Sequence, residues 1–466
     1  MNQPKSSSTH PLAGPETRRS FLRKAATATA VVAATGFIKT PVYGQDVAPS
    51  ANVLGANNKI TIGHIGVGGQ GLNAHVRGVC AAYQENNVMP VAVCDVSKTR
   101  VKVAAGVINT ATGKAPEEFE SYQKLLERKD IDAIYCATVD HWHTRVSVDA
   151  LNAGKHVYVE KPMTRYLAEA FEIHDTVKKT GKILQVGSQG CSDAKWHKAA
   201  ELIRAGTIGQ VVMSQGSYMR NNAKGEWNYA IQDWCKAEDV NWEAWLGSQI
   251  KTRPAFSADD YFRWRKYYPY CAGLLGDLFP HKLHPYMLAT GNPEFPLRVA
   301  SVGNKKVHTD KNTPGTRERD VPEIVQLIAE FPSGMTMHIC SGSVNEQGTQ
   351  EMIRGHKATL YMAGNRIELK PEKPFTDEVD PMTIENIKPT ESVPVHHKNW
   401  FDSIRANKQP NAGIDLAIRV QTVISLAEMS ERLSVMCLFD EKTRKVTTGD
   451  GREVPLLTYG SVAGQS

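Results

Sequence analysis

Residues 60–71 read ITIGHIGVGGQG, and this stretch decides the fold of the amino-terminal half. A short apolar run of strand character ends at Gly66-x-Gly68-x-x-Gly71, and helix-forming sequence follows. In this strand–turn–helix context the glycines allow a tight turn and close approach of the backbone to a pyrophosphate, while the helix start supplies free N–H groups. The pattern predicts a dinucleotide site formed by Gly66, Gly68, Gly69, Gln70 and Gly71.

Asp95 ends the next apolar run, residues 88–94. A carboxylate at that position accepts hydrogen bonds from the adenosine ribose and repels a 2′-phosphate. The sequence therefore predicts NAD as the cofactor, with NADP as the less favoured alternative.

Strands and helices alternate through residue 188. Strands are predicted at residues 60–65, 88–94, 131–139, 156–160 and 183–187, with helices between them that include residues 116–128 and 144–153. This alternation is typical of a parallel, doubly wound sheet. It predicts an α/β architecture that begins with a Rossmann domain over residues 59–188.

The pattern changes after residue 188. Strand-like runs at residues 298–308, 324–331, 336–342 and 359–362 lie close together, and Pro332-Ser333-Gly334 makes a tight link between two of them. Neighbouring strands with short links indicate antiparallel pairing. They predict a second α/β domain over residues 189–440 that contains a mostly antiparallel sheet, followed by a tail at residues 441–466.

The amino terminus has the pattern of an export signal. Residues 17–24 read TRRSFLRK, and an apolar stretch of small residues follows before a small-residue cleavage context near residues 42–44. The Arg18-Arg19 pair followed by Ser-Phe-Leu resembles a twin-arginine signal. We therefore predict a signal peptide over residues 1–44 and a linker over residues 45–58. The twin-arginine translocase of a bacterium would then export the folded, cofactor-loaded protein to the periplasm or beyond.

Composition argues against two other classes of protein. The net charge of +6 is small for 466 residues and the Lys and Arg residues are scattered, so nucleic-acid binding is not expected. After the amino terminus, no apolar run approaches the ~20 residues of a membrane span. The eight cysteines show no CxxC and no zinc-like spacing, so no metal site is expected.

Four further segments carry a family resemblance. They are Glu160-Lys161-Pro162 at a strand end, VDHWH at residues 139–143, AGKHVYV at residues 153–159 and GDLFPH at residues 276–281. Over roughly residues 58–440 the chain resembles the Gfo/Idh/MocA superfamily, the glucose–fructose oxidoreductase and inositol dehydrogenase group. The resemblance implies a large open sheet in the second domain that covers the nicotinamide and often forms a subunit interface, hence a homo-oligomer.

The resemblance also assigns the catalytic residues Lys161, Asp277 and His281. A lysine at the carboxyl end of a parallel strand can hydrogen-bond a substrate hydroxyl and steady the alkoxide as hydride leaves. His281 can take the hydroxyl proton, and Asp277, four residues earlier, can orient the imidazole and tune its pKa. Lys161 and His281 are therefore expected to bind substrate as well.

Further residues are expected near the ligands. The cofactor is expected beside Glu160 and Lys161 of the Glu-Lys-Pro motif and beside the backbone at His141. Many relatives carry Asp three residues after the catalytic histidine, where this chain has His284 followed by Pro285. Substrate binding and a structural role therefore both stay open for His284.

The leading functional prediction is an oxidoreductase that transfers hydride to or from a hydroxyl of a sugar or polyol, with tightly held cofactor. The first alternative is an NAD-dependent glycosidase of the same fold, which uses transient oxidation and elimination. The second is a non-catalytic sugar-binding protein, which would have no need of the proton-transfer groups Lys161, Asp277 and His281.

Overall fold

The computed structural model describes residues 58–311 and 314–459. The predicted signal peptide, all but the last residue of the predicted linker and residues 460–466 of the predicted tail lie outside the described residues.

A six-stranded parallel sheet forms the amino-terminal half. Its strands are β1 (Ile60–Ile65), β2 (Val88–Cys94), β3 (Glu117–Phe119), β4 (Ala133–Cys136), β5 (His156–Val159) and β6 (Leu184–Val186). The spatial order is β3-β2-β1-β4-β5-β6, and every neighbouring pair is parallel. The chain reverses direction of winding between β1 and β4, so their carboxyl ends border the crevice where ligands bind in such sheets. The predicted doubly wound sheet is confirmed.

Helices cover both faces of this sheet. They are a π-helical turn (Gly71–Val76) that continues as α1 (Arg77–Ala81), then α2 (Lys98–Thr112), α3 (Tyr122–Glu127), α4 (Asp140–Asn152) and α5 (Leu167–Thr180). The helix predicted at residues 116–128 is wrong at its start, because residues 117–119 pair with β2 as an edge strand. The helix begins only after Ser121, whose Oγ accepts a hydrogen bond from the Lys124 N–H and so caps the first turn.

One helix of the later chain packs against the Rossmann sheet. In α11 (Val393–Ala406), Trp400 and Phe401 are buried in one apolar cluster with residues of β1 and β4. The predicted boundary at residue 188 therefore does not separate the two halves completely, because covering this sheet face needs a helix from beyond it.

The second half contains a ten-stranded sheet. Its strands are β7 (Val211–Met219), β8 (Arg298–Asn304), β9 (Ile324–Glu330), β10 (Thr336–Gly342), β11 (Met352–Gly355), β12 (Ala358–Ala363), β13 (Arg366–Pro371), β14 (Met382–Ile384), β15 (Cys437–Asp440) and β16 (Lys445–Thr447). The order is β14-β13-β12-β11-β7-β10-β9-β8-β15-β16. Apart from the parallel β7–β10 pair, the paired strands whose register is described run antiparallel. The predicted large, mostly antiparallel sheet is confirmed.

The remaining helices of this half are α6 (Ala194–Arg204), α7 (Trp242–Leu246), α8 (Ala258–Arg263), α9 (Leu274–Asp277), α10 (Pro280–Ala289) and the buried α12 (Ile414–Leu433). Two large apolar residues of this sheet are exposed to solvent: Val302 of β8 at 73% and Ile328 of β9 at 55%. The homo-oligomer expected through the large sheet stays a prediction. No helix among the described residues is long and apolar enough to cross a membrane.

Candidate active site

The glycine loop after β1 has no room for side chains at two positions. Gly66 has φ +80°, and a Cβ placed there would lie 2.6 Å from the backbone of Ala137. A Cβ on Gly71 would lie 2.1 Å from the carbonyl oxygen of Gly66. Gly69 differs, because nothing lies within 4 Å of a Cβ built on it. This tight turn at the start of a helix fits a bound pyrophosphate.

Asp95 fixes that loop from the end of β2. Its Oδ2 accepts a hydrogen bond from the Val67 N–H at 2.8 Å, and its Oδ1 accepts one from the Ser97 N–H at 3.0 Å. Burial raises the pKa of Asp95, and the nearby Arg100 guanidinium opposes that rise. Asp95 also lines the cavity. Asp95 therefore shapes the loop, and its contact with the adenosine ribose stays a prediction.

One cavity of about 1250 Å³ joins the glycine loop to the second half of the chain. Its walls include four of the five predicted loop residues, Gly66, Gly68, Gly69 and Gln70, together with Glu160, Lys161, Asp277 and His281. The structure thus brings the predicted cofactor residues and the predicted catalytic residues into a single space large enough for a dinucleotide and a small ligand.

Glu160 is a buried carboxylate beside Lys161. Its Oε1 accepts hydrogen bonds from His75 Nε2 at 2.8 Å and from Gln70 Nε2 at 3.3 Å, and its Oε2 accepts one from the Lys161 N–H at 3.1 Å. Burial alone would raise the pKa of Glu160, but His75, Lys161 and Gln70 together outweigh burial and lower it to about 2. The ionised side chain ties the start of the glycine helix to the Lys161 backbone.

Lys161 and Asp277 form a close ion pair. Lys161 Nζ donates to Asp277 Oδ1 at 2.6 Å and to the Asp277 carbonyl oxygen at 2.8 Å. Arg265 Nε donates to the same Oδ1 at 3.2 Å, and Trp227 Nε1 donates to Oδ2 at 3.2 Å. Burial alone would raise the pKa of Asp277, but Lys161 and Arg265 hold it well below its usual range. Asp277 is therefore a fixed anion that positions the lysine.

His281 is a neutral imidazole on the cavity wall. Its Nδ1 is buried without a hydrogen-bond partner, and its ring lies 5.4 Å from the ring of Tyr218. Burial, with the charge of Lys161 adding to it, lowers the pKa of His281 to about 3. The neutral ring is the form that can accept a proton.

The expectation that Asp277 orients His281 is wrong. Within the described residues no hydrogen bond joins them, because Lys161, Arg265 and Trp227 occupy the carboxylate. Four-residue spacing places two side chains together only on a continuous helix. Here α9 ends at Asp277 and α10 begins at Pro280.

Two histidines expected near the ligands are not among the described residues that line the cavity. The His141 ring is buried and donates from Nε2 to the Trp245 carbonyl at 2.9 Å. Its neighbours Asp140 and Trp142 do line the cavity, so a place for the His141 backbone beside the cofactor stays a prediction. His284 is also buried and absent from that lining; its Nδ1 lies 3.1 Å from the Pro280 carbonyl oxygen, one turn earlier in α10. The structure thus supports the structural alternative for His284. Among the described residues, no group of three His, Cys, Asp or Glu side chains is placed to hold a metal ion.

Comparison with known proteins identifies the first domain. Residues 60–188 match the family model described as the oxidoreductase family, NAD-binding Rossmann fold, of the Gfo/Idh/MocA group. Residues 60–188 form an NAD-binding domain of the Gfo/Idh/MocA family. The predicted dinucleotide cofactor is confirmed for this domain.

Curated relatives resemble part of the chain. A glycosyl hydrolase family 109 protein of Saccharopolyspora erythraea is 31% identical over 218 residues, which is 44% of this chain and 46% of that protein. An alpha-N-acetylgalactosaminidase of Shewanella oneidensis is 27% identical over 231 residues, 45% of this chain and 49% of that protein. The chain therefore spans about half the length of the curated relatives it matches.

Solved structures of the same fold cover more of the chain. A levoglucosan dehydrogenase in complex with NADH and levoglucosan aligns with a TM-score of 0.59 and 16% identity, covering 85% of this chain and 100% of that one. An aldose–aldose oxidoreductase from Caulobacter crescentus aligns with a TM-score of 0.59 and 18% identity, covering 82% of this chain and 100% of that one. At these identities the likeness shows the fold alone.

Asp140 is a site residue that sequence reasoning did not single out. It begins α4, lines the cavity and is 5% exposed. Burial raises the pKa of Asp140 from 3.8 to about 7, against the opposing charges of Arg265 and Lys161. It lies within the VDHWH segment, in which only His141 is predicted to be near a ligand.

The raised pKa of Asp140 predicts a pH-dependent cost to stability. As pH rises above about 4, the unfolded chain gives up this proton before the folded chain does, so the wild type loses stability up to pH about 7. Asp140→Asn removes this loss. We expect the variant-minus-wild-type free energy of unfolding to grow between pH 5 and pH 8, by at most about 3 kcal/mol at 1.36 kcal/mol per pKa unit over the two units from pH 5 to about 7. Denaturant titrations at both pH values measure it, and a constant difference would contradict the assignment.

Proposed function

We propose that this protein is an NAD-dependent oxidoreductase that acts on a hydroxyl group of a sugar or polyol. The observation that carries the proposal is the shared cavity. The Lys161–Asp277 ion pair and the neutral His281 line the same space as the glycine loop. A protein that only bound sugars would have no need of this proton-handling set.

The side chains divide the work on the substrate hydroxyl. NAD, when bound, supplies the acceptor for hydride. Lys161 Nζ makes two hydrogen bonds to Asp277, which leaves a third N–H to donate to the substrate oxygen as negative charge develops there. His281 accepts the hydroxyl proton, because its ring is neutral and lines the cavity. In the reverse direction His281 returns the proton, while Lys161 keeps its hydrogen bond to the substrate oxygen.

The names of structural neighbours support a carbohydrate substrate. Two of them are a levoglucosan dehydrogenase and an aldose–aldose oxidoreductase. The cavity also has the mixed lining of a sugar site, with Trp142, Tyr218 and Trp264 beside the charged groups.

A second candidate function is glycoside cleavage. Curated relatives over the matching region are named glycosyl hydrolase family 109 protein and alpha-N-acetylgalactosaminidase. In that reaction a hydroxyl is oxidised transiently, the glycosidic bond breaks by elimination and releases the leaving alcohol, water adds to the unsaturated sugar, and the hydride is given back. Lys161 and His281 would serve the oxidation and the return step, so the site geometry suits both candidates.

We also propose that the protein is exported in folded form with its nucleotide already bound. The Arg18-Arg19 pair motivates this proposal. Replacing both arginines with lysine is expected to leave the protein in the cytoplasm when the full chain is expressed in a bacterium with a twin-arginine translocase. Fractionation followed by immunoblotting measures it. Normal export of the double variant would contradict the route.

Export predicts a cycle that does not consume NAD, since little free nucleotide is expected outside the cytoplasm. Purified loaded protein, freed of unbound NAD, should turn over many substrate molecules per bound nucleotide without accumulating NADH. Free sugars and matched aryl glycosides, each with and without added NAD, separate oxidation from glycoside cleavage by their products. A single burst of NADH followed by arrest, rescued only by free NAD, would show an ordinary dissociable cofactor instead.

A further inference from the structure

The substrate end of the cavity carries two arginines that the proposed reaction does not use. Arg220 and Arg265 line it beside Lys161, and their carboxylate partners are Glu226 and Asp277. Lys161 and Arg265 both bond to Asp277 Oδ1. A neutral sugar hydroxyl needs only one donor and one proton acceptor.

Arg265 is held rigidly with its outer edge open. Its guanidinium lies 4.1 Å from the centre of the Trp264 ring, and its Nε is fixed on Asp277 at 3.2 Å. Among the described residues, no hydrogen bond to its two terminal nitrogens is found. Stacking and the Nε bond orient the guanidinium, leaving a pair of donors free for an acceptor in the cavity.

Arg220 lies beside the proton acceptor. Its Nη1 donates to Glu226 at 3.1 Å and its Nη2 to the Tyr218 hydroxyl at 3.4 Å, while its side chain stays 39% exposed. The Tyr218 ring that it contacts is the same ring that packs against His281. Tyr218 therefore lies between Arg220 and His281, where the reacting hydroxyl is expected.

We propose that the substrate is a sugar bearing a carboxylate, a uronic acid or its glycoside, and that Arg220 and Arg265 bind that carboxylate beside the reacting hydroxyl. This inference rests on the proposed function and narrows its substrate class. A planar carboxylate matches the two-donor edge of a guanidinium, and such charge-assisted hydrogen bonds are shorter and stronger than neutral ones.

The test compares matched hexoses and hexuronates by calorimetry on nucleotide-loaded protein at low salt. The pairs are glucose and glucuronate, galactose and galacturonate, and mannose and mannuronate. In at least one pair the acid is expected to bind about 10- to 100-fold more tightly, the effect of one or two charge-assisted hydrogen bonds. Added salt should reduce that ratio, because it screens charge.

Variants identify the side chain responsible. Arg220→Met is expected to lower the acid-to-neutral ratio about tenfold, and Arg220→Lys, which keeps the charge but loses the two-donor edge, to lower it less. The matched control is Arg253→Met. Arg253 lines the same cavity but donates to the Gly247 carbonyl at 2.7 Å and pairs with Glu243. Arg253→Met should leave the acid-to-neutral affinity ratio unchanged.

The outcomes separate this inference from the proposed function. Neutral sugars that bind as tightly as their acids in every pair overturn the inference, as does failure of every acid to bind, even where NADH forms. An acid that binds tightly through Arg220 supports it. If no sugar or glycoside of any kind then reduces the bound nucleotide, the proposed oxidation is what fails.

Discussion

Lys161→Ala and His281→Ala are each expected to lower turnover by about 10²–10⁴ while the nucleotide stays bound. Lys161 Nζ sits 2.6 Å from Asp277 Oδ1 and offers its remaining N–H to the substrate oxygen. Losing it removes the donor that stabilises developing negative charge. Losing His281 removes the neutral proton acceptor. Steady-state assays, together with mass spectrometry of the copurified nucleotide, measure both parts of the expectation.

His174→Ala is the matched control for the histidine. His174 pairs with Asp175 outside the cavity lining, so its loss should leave turnover unchanged. Near-normal rates in both active-site variants, on a substrate the wild type converts, would remove the catalytic assignment. Loss of bound nucleotide in both would instead make them cofactor-binding residues.

Gly71→Ala is expected to abolish copurification of the nucleotide. The added Cβ would lie 2.1 Å from the Gly66 carbonyl oxygen, which is backbone of the same loop and cannot rotate away as a side chain can. The loop must shift, which costs at least about 1–3 kcal/mol of stability as overpacking and moves the N–H groups that would hold the pyrophosphate. Nucleotide content by mass spectrometry and thermal unfolding measure the two effects.

Gly69→Ala tests whether the effect comes from the loop's shape. Nothing lies within 4 Å of a Cβ on Gly69, so this variant should fold with wild-type stability. If Gly71→Ala copurified with as much nucleotide as wild type, the glycine loop would not be the pyrophosphate site. If both variants unfolded equally, the crowding at Gly71 would not be the cause.

Local sequence predicted the Rossmann half well because its strands are apolar and strongly bounded. Predicted strands at residues 60–65 and 88–94 agree with β1 and β2 to the residue. The sequence predicts helix where the edge strand β3 forms, because Glu-Glu-Phe has no strand pattern of its own. Pairing with β2 decides its conformation, and pairing is not a local property.

The predicted catalytic trio came from motifs, but the partners of Asp277 did not. Trp227 and Arg265 reach Asp277 from loop-rich sequence, and Trp227 does so from a left-handed backbone, φ +65°. No local pattern marks a tryptophan or an arginine as the partner of a carboxylate 50 or 12 residues later.

We propose that hydride passes between a sugar carbon and a nicotinamide bound in the same cavity as Lys161 and His281. The direct measurement is deuterium transfer. Loaded protein is mixed, in a single turnover, with substrate deuterated at the carbon that bears the reacting hydroxyl, and the extracted nucleotide is analysed by mass spectrometry. We expect deuterium on the nicotinamide ring in wild type and none in Lys161→Ala within the same time. A converted substrate whose deuterium never appears on the nucleotide would contradict the proposal.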